Sequence, residues 1–382
     1  MSAATAARPR PSPAAPRPGG CLEHAEFEQR RYFPSLDGVR AVAILLVFTA
    51  HLADQGFWGK LYGGNGVTVF FVLSGFLITT LALREESRRG RMSLKSFYIR
   101  RLFRIYPTYV GVLLLYCLLI YGAHFQADRR AEFSAQLPYY WLGFPEHGFF
   151  ALAGHAGAPF DGAWSIGIEE KFYLLWPVVG FVLLVGAFTR RMWVLGAAAA
   201  LFALAPVITR NGHYLGPYLF IALGCIAALL AHDPRHYRRL RPLGGRWPLA
   251  LSLLAFAGLQ LAVGAEVLSG RGIDVLDGIV ITFALVGIVV STGRVNGFLS
   301  SRPMVFLGRI SYVFYLTHNF AINAVERTPL GDDGAARVAG DAVVSLVFAV
   351  LIAWALHVAL EKPFIRVGHH LAHRDKPFHA LS

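Results

Sequence analysis

Apolar runs, most of them about 17 to 25 residues long, recur from one end of this chain to the other, and each is long enough to cross the ~30 Å hydrocarbon core of a bilayer as a helix. They cover residues 39–56, 66–83, 106–124, 165–188, 193–209, 216–231, 248–266, 275–292, 304–326 and 339–360. A backbone in lipid must satisfy its own hydrogen bonds, so runs of this length read as helices. The expected fold is all-α: a polytopic transmembrane bundle of about ten helices. An even number of crossings leaves both termini on one side.

Composition agrees, because 382 residues that are 55% hydrophobic and 15% charged, with a mean hydropathy of +0.49, suit a membrane better than water. The net charge of +13 could point to nucleic acid or to topology, and placement decides. With all ten runs spanning, 28 of the 36 Lys and Arg residues fall on the side of the N-terminus, seven fall on the other, and Lys171 lies within a span. That asymmetry places both termini in the cytoplasm, and nucleic acid is not needed to explain it. Residues 1–31, rich in Pro, Ala and Arg, read as a disordered cytoplasmic tail rather than a secretory signal. Residues 32–366 form the expected membrane domain and 367–382 a second cytoplasmic tail. The three cysteines have neither metal-ligand spacing nor a disulfide pattern, so no metal is expected. No internal repeat is visible.

Against this apolar background the ionisable residues stand out, since each costs several kcal/mol in lipid unless paired or hydrated. In "GVRAVAILLVFTAHL", Arg40 and His51 are eleven residues apart, which puts them on one helical face to within about 20° and separates them by about 16 Å. The fourth run begins "AWSIGIEEKFYLLWP", and helical arithmetic brings Glu169 and Glu170 to the depth of His51. His318, in "SYVFYLTHNF", reaches the same layer. An imidazole oriented by a carboxylate is a workable general base, so either glutamate is expected to orient His51. Lys171 can neutralise a glutamate. The bland alternative for the whole set is an interhelical polar cluster.

On the cytoplasmic side, "FYIRRLFRIYP" sets Arg101 and Arg104 one helical turn apart beside Arg100, and Arg40 enters at the same surface. Guanidinium groups converging there suit phosphates, although topology and lipid headgroups would also place them. Glu361 in "LEKPFIR" is expected to pair with one of these arginines. In the second run Gly63, Gly64, Gly66 and Gly75 read mainly as packing positions. Ser74 has no base adjacent in sequence and is not expected to be a nucleophile. The outer stretch 125–163, with its aromatics, can lie in the interface or cover a site.

Six segments together, "PSLDGVRAVAILLVFTAHL", "GVTVFFVLSGFLITTLAL", "FYIRRLFRIYP", "AWSIGIEEKFYLLWP", "LGRISYVFYLTHNF" and "LEKPF", resemble in order the acyltransferase 3 family of membrane-bound O-acyltransferases. The resemblance runs from about residue 32 to 366. It implies a multi-pass protein of the bacterial inner membrane that takes an acyl group, usually acetyl, from cytoplasmic acetyl-CoA (acyl-CoA) and delivers it to a hydroxyl, typically on an extracytoplasmic carbohydrate. The family's functional arginine and histidine map to Arg40 and His51, its Arg-x-x-Arg to Arg101 and Arg104, and its paired glutamates to Glu169 and Glu170. Gly167, Lys171 and Thr317 stand where the family commonly has serine, glutamine and tryptophan, which bears on the acceptor more than on the reaction.

Arg40, Arg101 and Arg104 are therefore expected to hold the acyl-CoA, with His51, Glu169, Glu170 and His318 as the catalytic set. With no soluble esterase-like domain after the tenth run, the membrane part is expected to act alone or with a partner. Lipopolysaccharide, exopolysaccharide, peptidoglycan, a lipid-linked sugar and a small molecule all remain open as acceptors. Two rivals exist: a secondary transporter of an anionic solute using the same His and Glu residues, and a catalytically silent membrane partner.

Overall fold

The computed structural model describes residues 20–52, 61–151, 157–208, 214–327 and 335–374. Within them the chain is helical, and the only β contact is an isolated antiparallel bridge between Cys21 and Ser291. The helices are α1 (His24–Gln29), α2 (Pro34–His51), α3 (Asn65–Arg89), α4 (Leu94–Cys117), α5 (Arg130–Leu142), α6 (Pro145–Ala151), α7 (Trp164–Val178) and α8 (Phe188–Ile208). They continue with α9 (Gly216–His232), α10 (Pro234–Leu240), α11 (Arg246–Gly264), α12 (Arg271–Val290), α13 (Arg294–Leu299), α14 (Arg302–Glu326), α15 (Ala335–Leu356) and α16 (Lys362–Arg374). Local signals set several boundaries. Pro34 opens α2, the Ser93 hydroxyl accepts from the Ser96 N–H at 3.3 Å to start α4, and Gly90 closes α3 in the left-handed conformation at φ 73°.

Each of the ten runs is helical over most of its described residues, but they are not equal. Among the described residues seven segments are long and apolar enough to cross a membrane: Pro34–His51, Asn65–Arg89, Leu94–Gly122, Phe188–Ala205, Arg246–Gly264, Gly272–Val290 and Val338–Ala372. Gly216–His232 with Pro234–Gly244 makes an eighth if the pair, bent by 109°, is one span. The other two, α7 and α14, carry Glu169, Glu170 and Lys171 in one and Arg309, His318 and Asn319 in the other. Those residues cost the two helices their apolar character, and they are the ones of chemical interest.

Helix α3 lies at the centre, packed along α9, α2 and α7. Gly75 sits on the Ile221 carbonyl and Gly224 on the Val72 carbonyl, a reciprocal contact with no room for a Cβ on either side. Gly308 likewise lets α14 rest on the Asp37 backbone of α2. Of the other glycines of the second run, Gly63 and Gly66 pack on α2, whereas Gly64 faces open space.

The segment expected as a disordered N-terminal tail is folded where described, and the segment expected as a second tail is helical where described. Residues 20–31 of the N-terminal tail run across one end of the bundle, with Leu22 and Phe27 buried, the Leu22 N–H bonded to the Val290 carbonyl at 2.8 Å, and the Tyr237 hydroxyl bonded to the Leu22 carbonyl at 3.0 Å. Two apolar anchors in a Pro/Ala/Arg-rich context gave too little signal against the composition. The C-terminal segment continues as α16 to Arg374 and packs on α4, where Gly368 meets Phe103. Residues 1–19 and 375–382 lie outside the described residues.

Candidate active site

The expected site residues divide into two groups, one above the other. Arg40 from α2, Arg101 and Arg104 from α4, and Glu169 and Glu170 from α7 line one cavity of about 100 Å³, together with Ser74, Tyr173, Ser311 and Tyr312. Arg40 donates to Asp37 Oδ1 at 3.1 Å, and the other Asp37 oxygen accepts from the Tyr32 hydroxyl. This fixes Arg40 from below and leaves it facing the cavity. Arg101 stacks on the Tyr173 ring at 4.5 Å. Glu169 accepts from the Ser74 hydroxyl at 2.9 Å and from the Tyr173 hydroxyl at 2.8 Å, one on each carboxylate oxygen.

His51 and His318 form the second group. His318 Nε2 lies 3.2 Å from His51 Nδ1, and the rings meet edge to face at 4.5 Å. Their tautomers follow from their carbonyl neighbours. His318 Nδ1 is 2.7 Å from the Tyr315 carbonyl and His51 Nδ1 is 2.9 Å from the Val47 carbonyl; carbonyl oxygens only accept, so both Nδ1 atoms carry hydrogen. His318 Nε2 then accepts from His51 Nδ1–H, and the remaining lone pair of the neutral pair, on His51 Nε2, has no partner among the described residues. His318 is buried and His51 is exposed. Asp161, in the 3₁₀ turn Asp161–Ala163 before α7, is a nearby acid, and burial pushes its carboxyl above the ordinary range.

The expectation that Glu169 or Glu170 orients His51 is therefore replaced. Depth alone cannot tell which way a side chain points around its helix, and α7 turns both glutamates towards the arginines. His318 holds the position given to a carboxylate. The premise about Ser74 also changes, since the fold brings it a carboxylate from 95 positions along the chain. Lys171 neutralises a different acid, Glu146 of α6, at 2.5 Å, and donates to the Gly143 carbonyl at 3.1 Å. Glu361 bonds to His357 at 2.6 Å across a π turn rather than to the expected arginine.

Ser165 and Tyr315 separate the two groups, and the sequence reading missed both. Both line the cavity, where the Ser165 hydroxyl donates to the Tyr315 hydroxyl at 2.8 Å and Tyr315 donates to the Gly162 carbonyl at 2.8 Å. One signal could have found Tyr315: it stands three residues before His318, on a neighbouring part of the same helical face.

A family model described as an acyltransferase domain matches residues 33–358. The chain belongs to this family. Among its relatives, a peptidoglycan O-acetyltransferase of Listeria monocytogenes is 37% identical over 163 residues, which is 41% of this chain and 25% of the relative. A putative peptidoglycan O-acetyltransferase of Bacillus subtilis is 27% identical over 372 residues, or 89% of this chain and 56% of the relative. A putative O-acetyltransferase of Staphylococcus aureus is 27% identical, covering 78% of this chain and 52% of the relative. The chain thus matches about half the length of the latter two and a quarter of the first. No solved structure matches it. With seven or more apolar helices, this acyltransferase-family chain is a multi-pass membrane protein.

Proposed function

We propose that the chain transfers an acetyl group from cytoplasmic acetyl-CoA to a hydroxyl of a cell-wall glycan at the outer face of a bacterial inner membrane. The observation that carries this reading is the two-level site: three arginines around a cavity on one side of Ser165 and Tyr315, and on the other a histidine pair whose Nε2 lone pair on His51 meets no partner among the described residues. For this orientation α7 and α14 also cross, making ten spans, and the arginine-rich ends face the cytoplasm as the charge asymmetry requires.

Arg40, Arg101 and Arg104 hold donor phosphates with charge-assisted bonds. His51 Nε2 takes the proton of the acceptor hydroxyl as that oxygen bonds to the acyl carbon. The carbon–sulfur bond breaks, and the CoA thiolate recovers the proton from His51. His318, buried and bonded to His51 Nδ1, fixes the imidazole that accepts the proton. His51 does not line the donor cavity, so the reacting groups meet by way of Ser165 and Tyr315. Family membership favours this chemistry over the transporter and the silent partner, and the relatives' names favour peptidoglycan among the acceptors.

Purified protein in nanodiscs, given labelled acetyl-CoA and a peptidoglycan fragment, should release CoA and acetylate the glycan, with CoA release dependent on acceptor. CoA release that ignores every glycan tested, or no acetyl product at all, would defeat the assignment.

A further inference from the structure

Helices α5 and α6 form a hairpin that starts where Asp128 bonds to Arg327, at the end of α14 that carries His318. Its turn does not stay at that end. The Tyr140 carbonyl accepts from the Tyr109 hydroxyl at 3.2 Å, and Tyr109 lies about 22 Å along the span Leu94–Gly122, whose 29 residues cover about 43 Å. The Gly143 carbonyl accepts from Lys171 Nζ at 3.1 Å, two turns into α7. The hairpin therefore reaches half-way along a membrane span. Backbone that leaves a helix at such depth has no water to bond, so its carbonyls need partners from the protein, and these two have them. The other surface of the turn is apolar, with Trp141, Leu142 and Phe144 exposed.

One ion pair fixes the turn. Glu146 is buried and meets Lys171 Nζ at 2.5 Å, while the Phe144 ring lies 4.4 Å from the same ammonium. The second Glu146 oxygen has no hydrogen-bond partner and rests against Gly167, where a Cβ would overlap it. Gly167 and Lys171 are two of the positions at which this chain departs from the residues common in its family, and both departures serve Glu146.

The hairpin backs the joint between the arginine cavity and the histidine pair from two sides. On α6, Phe149 stacks on Trp164 at 5.5 Å and Phe150 meets the same ring edge-on at 5.4 Å, directly before Ser165. On α5, Tyr140 packs edge-on against Phe160 at 5.2 Å, and Phe160 leads into the turn whose Gly162 carbonyl holds Tyr315.

We infer that the α5–α6 hairpin is the wall that keeps water out of the passage between the cavity and the histidine pair, and that Glu146 and Lys171 are the positioning residues that hold it there. The inference rests on the proposed acetyl transfer. A thioester carbon within reach of an imidazole base is open to any hydroxyl, water included, so excluding water is what reserves the acetyl group for the acceptor. With the wall displaced, a water oxygen bonds to the acyl carbon and the carbon–sulfur bond breaks. One water proton passes through His51 to the CoA thiolate, and the products are acetic acid and CoA.

The test uses the full chain in nanodiscs with labelled acetyl-CoA, with and without a peptidoglycan fragment, and measures CoA, free acetate and acetylated glycan. Lys171→Gln leaves the Glu146 charge buried without its partner, and it should raise acceptor-independent CoA release about tenfold or more, with acetate as the product and KM for acetyl-CoA unchanged. Gly167→Ser keeps both charges and displaces Glu146 by bulk alone; it should do the same. Lys171→Arg should keep CoA release tied to the acceptor. If transfer and CoA release fall together in the first two variants, with the ratio of acetate to acetylated glycan as in the wild type, they have only lost stability and the inference falls. Hydrogen exchange at the amides of residues 143–148 reads the wall without any reaction, and it should be about tenfold faster or more in Lys171→Gln. Unchanged exchange overturns the inference even where acetyl transfer is confirmed. A wild type that acetylates no glycan, beside faster exchange in the variant, defeats the proposed transfer and leaves the wall standing.

Discussion

The arginine half and the histidine half of this site, inner and outer in the proposed orientation, are made from different interactions. The inner half is ionic: Arg40 from α2 and Arg101 and Arg104 from α4 surround one cavity, opposed by Glu169 and Glu170 of α7. The outer half is a chain of short-range hydrogen bonds, from the Tyr315 carbonyl through His318 to His51 Nε2, in which the order of hydrogens follows from two carbonyls. A cluster of guanidinium groups attracts a polyanion whatever the detailed position of each. The outer relay works only if each ring is turned correctly. The inner half should therefore fail by degrees when altered, and the outer half all at once.

His51→Ala tests the abrupt half. Loss of a positioned general base should lower acetyl transfer by about a hundred- to ten-thousandfold, with acetyl-CoA affinity preserved. Measuring kcat and CoA binding on the same preparation checks it; a variant that transfers normally breaks the contrast. Arg104→Gln tests the graded half. It should raise donor KM about tenfold while kcat changes little, since neighbouring arginines remain. A collapse of kcat with unchanged KM would instead make Arg104 part of the chemistry.

The joint between the halves is tested by Gly75→Ala. The added methyl meets the Ile221 backbone, which cannot rotate away as a side chain can, and α3 must move from α9. Overpacking of this kind costs about 1–3 kcal/mol, so the melting temperature should fall and both donor binding and transfer should weaken together. Loss of only one of them would show that the halves are supported separately.

The difference also explains how far the sequence could be read. Long apolar runs made the helices visible, and basic motifs placed Arg40, Arg101 and Arg104 at one surface, because both signals depend on position along the chain alone. Partners across the bundle depend on how each helix is turned about its axis, and a run apolar all round gives no such signal. For this reason depth alone pairs Glu169 with His51, whereas the fold gives it Ser74 and Tyr173. Phe27 and Leu22 escaped notice because two buried residues do not change the composition of a Pro-rich tail.

At the outer rim the smallest effect is expected. Arg327, just after α14, bonds both oxygens of Asp128 at 2.7 and 3.0 Å, and this holds the Asp128 carboxyl below its ordinary range. Because the folded state binds the proton less tightly than the unfolded chain, the pair's contribution is fully present above the ordinary value of 3.8 and fades as pH falls through the lower folded value. Side-chain exposures of 43% and 58% let water and salt screen the pair, so it contributes only a few tenths of a kcal/mol. Asp128→Asn should shift the melting temperature by about a degree or less at pH 7 and low salt, and the difference from wild type should shrink further in high salt and acid. A larger loss, or one that resists salt, would mean that this rim pair holds the outer half together, and the outer relay would then depend on charge as the inner half does.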